Sequence, residues 1–203
     1  MPILANFRGV WRALVCTGVV CSAALAAAPS AVAKWATDEP CVSSSGTALK
    51  NQYGYSVAVV TSDCTQLAAG ERWAVSVPWI MADAFDQKPP GFATDYPTPT
   101  ADFRGKLKSV EYIVDGGAGS GFNRSFPADN KIWVGQLPEA PGLPAINTSN
   151  LGALNPLPVG RHVAEVYWKL SGPVCDGFSA DQGTSCLPAG DLLVKRVAFD
   201  VVG

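Results

Sequence analysis

The sequence predicts an all-β fold, an antiparallel β-sandwich with long loops, and three observations carry that prediction. Hydrophobic residues recur with period two and not 3.6, and no stretch beyond residue 33 sustains an amphipathic helix. In addition, 20 glycines and 16 prolines punctuate the chain at short intervals. Such punctuation leaves room for roughly six to eight strands joined by turns.

The elements follow in chain order. Tyr53, Tyr55, Val57 and Val59 share one face of a first strand. In Trp73–Trp79 the odd positions are Trp73, Val75, Val77 and Trp79, while the even ones are Ala74, Ser76 and Pro78, the pattern of a half-buried strand. Val110, Tyr112 and Val114 form a third apolar face. The clearest alternation sets His162, Ala164, Val166, Trp168 and Leu170 on a core side and Arg161, Val163, Glu165, Tyr167 and Lys169 on the side toward water. The last strand places Val197, Phe199 and Val201 opposite Arg196 and Asp200. Lys195 falls in register with that apolar set, so a bulge or an edge position is expected there. Asp115-Gly116-Gly117 and Gly119-Ser120-Gly121 have the chemistry of tight turns. Two proline-rich segments, residues 80–104 and 138–158, are too long for turns, and loops of that length in a compact domain are usually either functional or mobile.

The run of "VEYIVDGG", "GRHVAEVYWKLSG" and "VKRVAFDVV" over residues 105–203 resembles the second half of immunoglobulin-like extracellular domains. The resemblance implies that sandwich architecture and no particular activity. The cysteines are not spaced as the inter-sheet bridge of antibody domains.

The first 33 residues read as a secretory leader. Arg8 and Arg12 precede an uncharged apolar run, residues 13–28, and Ala31-Val32-Ala33 makes a small-x-small site, so cleavage is expected before Lys34. That leaves residues 34–203 as a single secreted domain, with no later apolar stretch long enough to span a membrane. Losing Arg8 and Arg12 leaves 13 basic against 17 acidic residues, a net charge of −4. No basic run competes for a phosphate backbone, which argues against nucleic acid as a partner. Cys41, Cys64, Cys175 and Cys186 remain, an even count that fits two disulfides in an oxidising compartment. Local proximity favours Cys41 with Cys64 and Cys175 with Cys186, among three possible pairings.

Chemistry-bearing constellations are few. His162 is the chain's one histidine and falls at a strand start, far short of a zinc ligand set. Asp176 and Asp181 share the 175–186 loop and are weak calcium candidates, two carboxylates being few for a tight site. Ten residues separate Cys175 from Cys186, the spacing of a staple and not of a catalytic dithiol. "GGAGSGF" lacks the order of a nucleophile elbow or a phosphate loop. Glu111, Glu165, Asp95 and Asp102 are the carboxylates from which a polysaccharide hydrolase would draw its acid and base. No cofactor is expected.

Segment 80–104, with the residue before it, concentrates apolar surface. Trp79, Phe85, Phe92 and Tyr96 lie among prolines, poised either to fold back as a lid or to bind through aromatic faces. Asn123-Arg124-Ser125 and Asn147-Thr148-Ser149 are sequons. Together these features predict a non-enzymatic protein, secreted or associated with the cell envelope, that binds an extracellular protein or a carbohydrate. The binding residues expected are Trp79, Phe85, Phe92 and Tyr96, and the alternative is an extracellular polysaccharide hydrolase with paired carboxylates.

Overall fold

In the computed structural model, the residues described are 57–117, 119, 121–128, 132–137, 140–148 and 154–203. The expected leader, Cys41, Tyr53 and Tyr55 therefore lie outside the described residues. Along the chain come β1 (Ala58–Val60), β2 (Gln66–Ala68), β3 (Trp73–Val75), β4 (Pro78–Ile80) and helix α1 (Pro99–Lys106). Then follow β5 (Leu107–Val114), a 3-10 turn (Asp115–Gly117), β6 (Phe122–Pro127), β7 (Trp133–Gln136), β8 (Pro144–Asn147) and β9 (Gly160–Leu170). The chain ends with β10 (Val174–Cys175), helix α2 (Gln182–Ser185), β11 (Cys186–Leu187) and β12 (Gly190–Val202).

The protein is mainly β, as expected, in several sheets. A five-stranded sheet has the order β2-β12-β9-β5-β6, antiparallel except where β2 runs parallel to the end of β12. A three-stranded antiparallel sheet has the order β4-β8-β7, and β1 pairs in parallel with β3. The faces predicted from alternation are the buried ones: Val110, Tyr112 and Val114 on β5, His162 to Leu170 at every second position on β9, and Val197, Phe199 and Val201 on β12. They form one core with Trp73, Val75, Val77 and Ile146. The rings of Trp79 on β4 and Trp168 on β9, 6.0 Å apart, join the two larger sheets directly.

Lys195 sits where its alternation requires an accommodation, and a bulge lies there: the β9–β12 register shifts between Leu193 and Lys195. The shift falls before Lys195, which still registers opposite the buried Val166; the side chain is half-buried, and its Nζ reaches out to donate to Ser62 Oγ at 2.5 Å.

Four expectations need correction. The segment 73–79 is two strands, broken at Ser76–Val77, and Trp73 through Val77 are buried on both faces. The polar group in that run is paired: Ser76 N donates to Val60 O, and Asn147 Nδ2 donates to Ser76 Oγ at 2.8 Å. The described residues hold twelve strands, more than expected, because several have only two or three residues. Finally, residues 80–104 are not all loop, since α1 begins at Pro99. Thr98 caps it by accepting from Ala101 N at 3.2 Å, Pro99 needs no hydrogen-bond acceptor in the first turn, and Lys106 in the last turn meets Asp102 at 2.7 Å. Likewise, segment 138–158 carries β8, which lies between β4 and β7.

Candidate binding groove

Two loops meet at one end of the domain. Loop 81–98 leaves β4, loop 171–189 joins β9 to β12, and Ala82 N donates to Asp176 O at 2.8 Å. Lys106 Nζ adds a bond to Pro173 O at 2.7 Å, and Ser171 N donates to Lys106 O at 2.9 Å. Gly177 marks the closest approach. Its φ is +86°, and a Cβ there would lie 2.8 Å from Pro99 Cγ and 2.9 Å from Ala84 O.

The second loop is held by its own chemistry. β10 and β11 pair through Cys175 and Cys186, which are disulfide-bonded as expected from their spacing. Cys64 is also disulfide-bonded, and its expected partner, Cys41, lies outside the described residues. Asp181 caps α2 by accepting from Gly183 N at 2.9 Å, and Asp176 accepts from Phe178 N at 3.0 Å. Both calcium candidates thus spend an oxygen on their own loop. Among the described residues no group of three or more His, Cys, Asp or Glu side chains converges.

Beside this junction an open groove of about 510 Å³ runs between β4 and the start of β12. Trp168 lies in its floor, and Trp79, Leu187, Leu192, Leu193 and Val194 line it, with Asp191 and Thr184 supplying polar groups. The floor is rigid. Phe103 from α1 packs against both tryptophans, with centroids at 5.6 Å from Trp79 and 4.8 Å from Trp168, and Trp168 Nε1 donates to Thr148 Oγ1 at 2.9 Å. Leu193, at the bulge, is 50% exposed.

Of the expected binding residues, only Trp79 lines this groove. Phe85 and Phe92 pack tilted against each other at 5.7 Å, with Lys88 over the first ring and Lys106 over the second, so they help fold their own loop. Tyr96 is 39% exposed but packs so close to α1 that Gly105 admits no side chain beneath its ring. The 192–194 face was not anticipated. Its signal was the apolar run Leu192-Leu193-Val194 ahead of Lys195, where the alternation breaks.

The carboxylates are engaged elsewhere. Glu111 lies 3.4 Å from Lys169, and Glu165 lies 3.4 Å from Arg196 and accepts from Tyr167 Oη at 3.2 Å. Partial burial and then Glu165 hold the Tyr167 hydroxyl above its usual range, while Glu111 and Asp191 raise Lys169. Asp102 is fully buried against Lys106 and Thr94, and Asp95 is exposed. Of the sequons, Asn123 is exposed on β6, whereas Asn147 is wholly buried with Nδ2 bonded to Ser76 and Oδ1 accepting from Val77 N.

Comparison with protein-family models, with curated proteins and with solved structures finds no match in any of the three.

Proposed function

We propose that this is a non-enzymatic binding protein, secreted or associated with the cell envelope, that takes its ligand in the groove between β4 and the bulged start of β12. One observation carries the reading: a cleft of about 510 Å³ with two tryptophans and a disulfide-tied loop in its lining. That volume, with apolar side chains interleaved with polar groups, suits a small-ligand site. Tryptophan packs well against an apolar side chain of an extracellular protein or the face of a sugar ring, and Asp191 and Thr184 offer hydrogen bonds at the groove. The disulfide agrees with an oxidising compartment.

The strand connectivity supports an immunoglobulin-like reading of the fold. In chain order β4, β5, β6, β7, β8, β9 and β12 would serve as strands B, C, C′, D, E, F and G, which gives the sheets B-E-D and G-F-C-C′. Loops 81–98 and 171–189 then correspond to the B–C and F–G loops, two of the three that bind antigen in variable domains. The B–F disulfide of antibody domains is replaced here by the Trp79–Trp168 contact.

A fluorescence titration with the neutral amphipathic dye N-phenyl-1-naphthylamine tests the groove. Wild-type protein gives saturable enhancement, and Leu193→Arg, which alters an exposed position, weakens it about tenfold, equivalent to about 1.4 kcal/mol. No saturable enhancement, or equal affinity in the variant, overturns the proposal.

A further inference from the structure

We propose that His162 is a proton-operated clasp: charged, it locks the start of β9 to the turn after β5 and to the segment that precedes β9, and deprotonation breaks one of its two hydrogen bonds and so loosens the start of β9, Val163 included. The geometry carries this. His162 is 5% exposed, its Nδ1 lies 2.7 Å from Asp115 Oδ2, and its Nε2 lies 2.8 Å from Pro158 O. Both partners are acceptors. Only the imidazolium donates at both nitrogens, whereas a neutral ring leaves one acceptor facing a lone pair.

Asp115 is itself built into the device. Its Oδ1 accepts from Val163 N at 2.9 Å, so one carboxylate holds both the ring and the next backbone amide. Among the described residues it is the one non-glycine with positive φ, at 49°, which fits a side chain retained for its contacts. The same carboxylate–imidazole pair is two thirds of a hydrolytic triad, but Nε2, which would face a nucleophile, is taken by the Pro158 carbonyl.

The charges around the ring favour the proton. Asp115 faces it from the turn and Asp200 acts from β12, where Phe199 registers opposite His162 with ring centroids 5.9 Å apart. Arg161, the neighbouring cation, registers against Asp200. Burial lowers the imidazole pKa, but the Asp115 hydrogen bond, the Pro158 carbonyl and the two carboxylates together raise it above 6.5. Because the folded value is the raised one, the stabilisation is complete below the unfolded pKa and is lost as pH rises through the folded pKa. The clasp is therefore closed in acidic medium and opens toward alkaline pH.

The chain's one histidine makes the test direct, since an imidazole Cε1–H NMR titration of the full chain reports His162 alone. The expected midpoint lies above 6.5, and Asp115→Asn lowers it by about one pH unit or more. Exchange of the Val163 amide, corrected for the intrinsic pH dependence of exchange, accelerates about tenfold or more across the same midpoint. His162→Gln abolishes that step. Should a variant fail to fold, the wild-type titration and exchange still decide. A midpoint at or below 6.5, or Val163 exchange indifferent to the titration, overturns the clasp.

Discussion

Gly177→Ala perturbs the junction between the two loops, and its cost has two separable parts. At φ +86° an L side chain costs about 1–2 kcal/mol in backbone strain. The new methyl would also stand 2.8 Å from Pro99 Cγ, 2.9 Å from Ala84 O and 3.1 Å from Ala82 Cβ. Two of these neighbours are backbone or a proline ring at the start of α1, so neither yields as the end of a flexible side chain would. Overpacking of this kind adds about 1–3 kcal/mol. The expected loss is thus about 2–5 kcal/mol, a large part of a small domain's stability. Gly91→Ala is the control, because its φ is +81° but nothing lies within 4 Å of the added Cβ, so it pays the strain alone. Urea unfolding followed by tryptophan emission measures both variants, with unchanged m required for the comparison. If Gly177→Ala loses no more than Gly91→Ala, the loops are not in tight contact and the account of the junction is wrong.

Other perturbations read other parts of the same end. Replacing Cys175 and Cys186 by serine should lower stability by about 3 kcal/mol in urea unfolding and abolish N-phenyl-1-naphthylamine binding, since the loop beside the groove would be untied. Retention of full dye affinity would mean that this loop does not shape the groove. Thr98→Ala should cost about 1 kcal/mol by removing the cap of α1, a loss visible as a lower urea midpoint, and an unchanged midpoint would show the cap to be idle.

Alternation identified the core faces of β5, β9 and β12 because each of these strands is long, and its other face lies toward water. It misread residues 73–79 because both faces there are buried, which erases the contrast on which periodicity depends. Helix α1 escaped for a different reason. Its cap, Pro99, Asp102 and Lys106 are proper helix signals, but only Pro99, Asp102 and Phe103 are buried, so no apolar stripe announces it. Trp79 was legible as a binding candidate. The partners that make it part of a groove come from β9, β11 and β12, about 90 to 115 residues away, and local pattern does not report contacts of that range. The Cys175–Cys186 staple needed no such information, because its ten-residue spacing sits between two strands.

The bulge before Lys195 also bears on how the protein behaves at high concentration. Among the described residues β2 covers only Asp200–Val202 of the outer side of β12, so much of a thirteen-residue strand lacks a sheet neighbour there. A flat edge of that length would offer another chain a continuous row of amides and carbonyls along which to zip. Here the row is interrupted after Leu193, the strand is bent, and a lysine is placed beside the break. The irregularity that borders the groove therefore also denies a template to a second copy of the sheet.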